Sequence, residues 1–362
     1  MIPAPVRERA AACGSSLKTE EVANMKRANG LFPLEATVEG ENGLLESLCP
    51  EGDLVYLLSG RCGIYHCLLD IVRYDKKRVA YLPLYTCETV VAPFVKAGFA
   101  LKFYPLDRNM RPVFSEDALD SVSLVSVCGY YGFSAFDRDF VRKCKARGLT
   151  VMEDMTHSVL SADGLDENCD YAAGSLRKWM GVACGGFALK RRGRFARAPM
   201  PPHREHLKLR YDAIERDDME LFWKGEMMLR RIFDDFGSDD ESVYLMKHAD
   251  FRTIRRKRRE NYRTLLENVR ESENLKVVFP VLDAGTVPSH FTVFAGEREK
   301  VRDALQALGV KTSVYWPQGP LIELDGQEDT RYIYDHVLSL PCDQRFSAED
   351  MKFIAAALNS YR

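Results

Sequence analysis

The chain has ten cysteines spread over 362 residues, yet no two form a Cys-x-x-Cys pair. That removes the common spacing of a zinc site or a dithiol redox motif. No uninterrupted apolar run reaches the length a membrane-spanning helix needs. The opening residues, MIPAPVRERAAACGSSLK, lack the apolar core of a secretory leader. Formal net charge is only −2, from 51 basic and 53 acidic side chains, so no global field draws the chain to nucleic acid or an anionic membrane. There is no internal repeat, no low-complexity linker, and no complete Gly-x-Gly-x-x-Gly or Walker pattern. What remains is a globular protein expected in a reducing cytoplasm, with no metal, membrane or nucleic-acid partner.

With 46% apolar and 29% charged residues the chain can bury a large core, and its length favours more than one unit. Residues 1–45 are mixed, with a helix expected over Thr19–Asn29. Over 46–205 the pattern becomes regular. VYLLSG, RVAYLPLY, ALKFYPLD, SLVSVCGYYG and LTVMED read as strands; IYHCLLDIV, ETVVAPFVKAG, SEDALDSV and DRDFVRKCKARG read as helices between them. This alternation predicts an α/β fold, a large domain with a mostly parallel sheet flanked by helices. Residues 206–274 read as a helical connection. Within it, FRTIRRKRRENYRTLLENV has an apolar stripe that leaves its arginines on the outer face. A solvated helix face explains this basic run better than a nucleic-acid contact. Residues 275–362 read as a smaller C-terminal α+β domain with its own strands and two helices.

In parallel sheets ligands collect at the carboxyl ends of the strands. The polar features at 59–63, 85–88, 129–132 and 153–157 all fall there. The stretch from Val151 to Lys190 is the richest: Asp154 closes one strand, and Lys178 sits on the loop after the next apolar run. An acid at a strand end and an amine on the neighbouring loop meet the needs of a pyridoxal phosphate site. The amine condenses with the aldehyde, and the acid keeps the ring nitrogen protonated.

Each residue also has a plainer reading. Ser59-Gly60-Arg61-Cys62-Gly63 is either a phosphate-binding turn at a helix N-terminus or an ordinary tight turn. Asp154 taken alone suits a helix cap or an ion pair. His157 suits either a hydrogen bond to a ring substituent or a satisfied core position. Lys178 stands among Ala172, Ala173, Gly174, Trp179, Met180 and Gly181, surroundings that make a lysine nucleophilic. Ser175, three residues earlier, can meet the same phosphate, and Arg177 is a second candidate. Tyr85, Cys87, Tyr130 and Tyr131 end strands that flank the site, where they either face a planar ligand or pack the core.

Together these residues resemble the fold-type-I pyridoxal phosphate enzymes, and most closely the DegT/DnrJ/EryC1/StrS aminotransferases. The resemblance rests on Ser59-Gly-Arg-Cys-Gly63, Pro83-Leu-Tyr-Thr86, Tyr131-Gly-Phe-Ser-Ala-Phe-Asp137, Glu153-Asp154-Met-Thr-His157 and Ser175-Leu-Arg-Lys178. Gly309–Pro317 and Leu338-Ser-Leu-Pro341 resemble the family's C-terminal strands. The Ser-x-x-Lys spacing is that of other fold-type-I aminotransferases, and the family's Tyr-Asn-Tyr-Arg segment is not recognisable.

The resemblance implies that Lys178 carries pyridoxal 5'-phosphate, that Asp154 pairs with its ring nitrogen and that His157 sits near the ring. Ser175 and the turn of Gly60, Arg61 and Cys62 would hold the phosphate. Cys87 would stand where the family has a stacking aromatic, with Tyr85 as the substitute. The implied activity is amino transfer from an amino acid to a keto compound, with a nucleotide-linked keto-sugar as one acceptor class. The implied assembly is a homodimer with a shared active site. The alternatives are a lyase, decarboxylase or desulfurase on the same fold, for which Cys342 is the candidate thiol, or a non-catalytic nucleotide-binding relative.

Overall fold

The structure is a computed structural model and describes residues 31–133, 138–162 and 166–361. The helix expected over Thr19–Asn29, and Asp137, lie outside the described residues. Strands β1 (Asp53–Leu57), β2 (Val79–Pro83), β3 (Ala100–Tyr104), β4 (Leu124–Cys128), β5 (Thr150–Asp154), β6 (Tyr171–Ser175) and β7 (Gly186–Lys190) form one sheet in the order β1-β7-β6-β5-β4-β2-β3. β7 is antiparallel to both its neighbours, and the other pairings are parallel. β4, β5 and β6 are buried along nearly their whole length, as a sheet covered on both faces requires. Register sets Cys128 beside Asp154 and Asp154 beside Ala173, so β4 and β5 end level and β6 runs two residues further, to Ser175.

Helices α1 (Gly60–Ile71), α2 (Glu88–Lys96), α3 (Glu116–Leu119) and α4 (Arg138–Ala146) follow β1 to β4 in turn. Ser59 starts α1 by accepting the Cys62 N–H on its hydroxyl, which satisfies one orphan donor of the first turn. α1 lies so close to β7 that a side chain at Gly63 would strike the Phe187 carbonyl.

The segment after β7 carries four more helices: α5 (Arg204–Arg216), α6 (Met219–Ile232), α7 (Asp240–His248) and α8 (Phe251–Asn268). Asp218, Asp239 and Asp250 cap the last three through their carboxylates. On α8 the expectation of an outward arginine face fails at Arg258, which is completely buried. It sits four residues after Ile254 and four before Tyr262, on the apolar stripe itself. Backbone carbonyls and the Gln344 side chain, rather than water, satisfy its guanidinium.

The chain ends in a second sheet, ordered β10-β9-β8 and antiparallel, from β8 (Leu275–Val277), β9 (Phe291–Ala295) and β10 (Val337–Leu340). Three helices accompany it rather than the expected two: α9 (Arg298–Ala307), α10 (Glu328–His336) and α11 (Ala348–Asn359). α10 has no side-chain cap, and its short mixed sequence carries little signal. The strand expected over 309–317 reduces to a single bridge between Ser313 and Ser339. One apolar cluster joins Tyr85, Tyr130 and Tyr131, from the ends of β2 and β4, to Phe279, Phe291, Leu338 and Ile354. Among the described residues no helix is long and apolar enough to cross a membrane.

Candidate active site

The carboxyl ends of β4, β5 and β6, the start of α1 and the segment around Tyr315 enclose a cavity of about 600 Å³, within the range of small-molecule sites. Asp154 enters it from the last position of β5 and is buried. One carboxylate oxygen accepts the Thr156 N–H at 2.9 Å. Among the described residues no basic side chain pairs with it. Burial pushes the carboxyl up from its ordinary value, against the Thr156 hydrogen bonds and the Lys178 charge. A buried carboxyl in this condition is stabilised by a nearby cation.

Lys178 follows β6 on a short 3-10 turn, Leu176–Lys178. It is half-buried, lines the cavity, and holds its amine 4.6 Å from the centre of the Tyr315 ring. His157 lines the same cavity, with both ring nitrogens buried and without a hydrogen-bond partner. Burial, then the nearby Lys178 charge and His290, hold it well below the ordinary histidine range, so the ring is a neutral imidazole. Its aromatic neighbours are Trp316, 5.3 Å away and tilted by 35°, with Tyr131 and Tyr315 at 5.5 and 5.6 Å.

At the other end, Gly60 begins α1 against Ser175. A Cβ there would lie 3.2 Å from both the Ser175 Cβ and the Gly174 carbonyl oxygen. Ser175, Gly60 and Arg61 line the cavity, as does Cys87 at the cap of α2.

Two expected residues are elsewhere. Cys62 is fully buried, with its thiol against the Ser59 hydroxyl at 3.2 Å. Consecutive helical residues point about 100° apart, so Arg61 facing the cavity sends Cys62 into the core. Tyr85 is also fully buried. Its hydroxyl meets that of Tyr131 at 3.0 Å and its ring packs on Trp316 and Tyr334, away from the cavity.

The cavity also draws on residues that the sequence reading passed over. His290 follows the Val287–Ser289 loop, and Lys311, Tyr315 and Trp316 come from the 309–317 segment. Arg210 and Glu226 reach in from α5 and α6. Arg258 lines it from below, donating to the backbone carbonyls of Lys178, Trp179 and Ser289. Only Arg258 had a readable signal, its place on the apolar stripe of α8.

No family model matches the chain, and no curated protein matches it. Solved structures do. Helicobacter pylori PseC, an aminotransferase involved in pseudoaminic acid biosynthesis, has a TM-score of 0.67 at 12% identity, with 94% of this chain and 95% of that one covered. A DegT DnrJ EryC1 StrS aminotransferase from Brucella abortus has a TM-score of 0.63 at 15% identity, covering 98% and 93%. The sugar aminotransferase CalS13 from Micromonospora echinospora has 0.61 at 14%, covering 99% and 98%. The chain has the fold these aminotransferases share.

Proposed function

We propose that the protein is a pyridoxal-phosphate-dependent aminotransferase. It would move an amino group from an amino acid to a keto compound, with a nucleotide-linked keto-sugar as the acceptor class. The observation that carries this reading is the meeting of Asp154, His157, Ser175 and Lys178 in one cavity at the carboxyl ends of the parallel strands. The sugar aminotransferases among its structural neighbours support the acceptor class.

The residues present fit the cofactor. A buried carboxyl without a cation, an imidazole with two orphaned nitrogens, and a helix N-terminus against a serine are all complementary to a pyridinium ring with a phosphate. When bound, pyridoxal phosphate supplies an aldehyde for an amine and a ring that accepts electrons.

Lys178 would hold the cofactor, give way to the incoming amine, and then carry the proton to and from the substrate carbon. Asp154 would keep the ring nitrogen protonated, and His157, neutral, would hydrogen-bond a ring substituent. Ser175 and the turn at Gly60 would anchor the phosphate. Trp316, Tyr131 and Tyr315, rather than Tyr85, are the aromatics beside His157.

The partner we propose is a second copy of the chain. Light scattering at twice the chain mass supports this, and a monomer contradicts it. Among the described residues nine cysteines stand as free thiols, which suits the cytoplasm as the proposed compartment.

A desulfurase needs a reactive thiol. Cys342 is fully buried, and burial pushes its thiol up to about 12, so that variant is disfavoured. The protein is expected to convert glutamate or alanine to the corresponding keto acid in step with consumption of a keto acceptor. Release of sulfide or carbon dioxide in place of that exchange would overturn the assignment.

A further inference from the structure

One face of α6 runs along the cavity wall. Met219, Phe222, Trp223 and Glu226 stand at positions i, i+3, i+4 and i+7, so they share that face, and all four line the cavity. The Glu226 side chain is 19% exposed, whereas Trp223 is 56% exposed. The stripe therefore passes from an enclosed charge to an open indole at the mouth. Other large apolar side chains are exposed, among them Tyr244, Val281 and Leu321, and singly such residues need no explanation. Trp223 differs because it lines the cavity and those three do not.

Phe222 fixes the indole. The two rings meet edge to face, with 5.3 Å between centroids and 86° between planes. The Arg210 guanidinium lies 4.6 Å from the centre of the Phe222 ring, which holds Phe222 in turn. Among the described residues no other ring lies beside Trp223. An indole held at its edge keeps a broad π face for a planar ligand.

The charge of the wall is a separate observation. Among the described residues seven basic and three acidic side chains line the cavity, an excess of four positive charges. A cofactor phosphate, as a dianion, leaves an excess of two. Enclosed like charges are unfavourable without a counter-charge. Lys311 stands on the rim near the indole. Its amine lies 3.9 Å from Met219 Sδ, and Met219 is one helical turn from Trp223. Burial, then the Arg345 charge, lower this amine from its ordinary value, and Asp217 opposes them. Arg345 lines the same wall, with Asp343 as its acid and the Phe32 ring centre 3.8 Å from its guanidinium.

Given the nucleotide-linked acceptor class put forward above, we propose that the mouth of the cavity at α6 is its nucleotide subsite. Trp223 is the platform on which the base stacks, and Lys311 is a cation toward the diphosphate. Every base has a π face for an indole to cover, and a diphosphate diester carries two negative charges, which match the remaining excess. A donor such as glutamate or alanine has no ring to stack. Trp223 is thus a specificity residue that separates acceptor from donor.

The test uses the full-length chain saturated with pyridoxal phosphate, so that the cofactor's own phosphate contacts are filled. The probes are the diphosphates of uridine, thymidine, cytidine and guanosine, with inorganic diphosphate as the probe without a base, all read by calorimetry. At least one nucleoside diphosphate is expected to bind wild type more tightly than inorganic diphosphate. Trp223→Leu is expected to weaken that binding about 10-fold or more, the usual scale for a lost base–aromatic stack, and to leave inorganic diphosphate unchanged. Trp223→Phe, which keeps a ring, is expected to recover most of the affinity. Lys311→Met is expected to weaken nucleotide and inorganic diphosphate alike.

Failure of every nucleoside diphosphate to bind, or equal binding by wild type and Trp223→Leu, would overturn the subsite even in a protein that exchanges amino groups. An equal loss of inorganic diphosphate in Trp223→Leu would reduce Trp223 to a structural role and overturn it too. So would a wild-type dimer that becomes a monomer in Trp223→Leu with nucleotide affinity unchanged, since the indole would then belong to a subunit contact. Nucleotide binding that depends on Trp223 in a protein that takes up no cofactor would sink the enzymatic reading and leave this subsite standing.

Discussion

Glu153 and Asp154 are neighbours on β5 and point to opposite faces of the sheet, as alternation demands. Asp154 reaches the cavity. Glu153 instead lies under the other face, where its Oε2 accepts the Asp166 N–H at 3.2 Å. Burial raises the Glu153 carboxyl to about 8, although that hydrogen bond and Arg138 oppose it. A carboxyl raised on folding contributes stability that is full below its unfolded pKa of about 4.3 and is lost as pH rises through about 8. Glu153→Gln, neutral throughout, is therefore expected to gain melting temperature relative to wild type between pH 5 and pH 9. A difference that stays flat across that window would contradict the buried-acid account. The strand-end residues were legible in the sequence because a strand's last position is marked by where its apolar run stops. That Cys62 and Tyr85 turn their side chains into the core was not legible, because a motif gives the place on the chain, not the direction of the side chain.

Among the elements, α8 does most to brace the lysine loop. Arg258 on this helix donates to the carbonyls of Ser289, Lys178 and Trp179 at 2.9, 3.2 and 3.3 Å and to the Gln344 side chain at 3.0 Å. It therefore joins α8 to the lysine loop and to the loop before His290. Each buried acceptor left without a donor costs about 1–3 kcal/mol, so Arg258→Met is expected to lower stability by roughly 3 kcal/mol or more. Arg256, exposed and paired with Glu260 on the same helix, should cost less than about 1 kcal/mol when replaced by Met. Equal urea midpoints for the two variants would contradict the bracing role. Strand and helix order was readable because Gly and Pro punctuate each apolar run. The inward turn of Arg210 and Glu226 was not, since charges on a helix look solvated until another element covers them. Only the packing of α5 and α6 beside α1 decides which of their charges are enclosed.

At the scale of the molecule, the long-range arrangement follows from the sheet. Parallel order gathers the carboxyl ends of β1, β2, β4, β5 and β6 at one edge, although Ser59 and Lys178 are far apart in sequence. The C-terminal sheet meets that edge through the shared aromatic cluster and closes the cavity with the 309–317 segment. The division into 46–205, 206–274 and 275–362 remains our proposal for the domains. Two lysines now line the cavity, Lys178 and Lys311, and burial lowers the second from its ordinary value. The central claim is that Lys178 is the one that binds the cofactor. Reducing the cofactor-loaded protein with borohydride and mapping the modified peptide by mass spectrometry tests this directly. The account predicts a pyridoxyl group on Lys178 alone in wild type, and none on Lys178→Ala. A label on Lys311, or on neither lysine in protein shown to have taken up the cofactor, would contradict it.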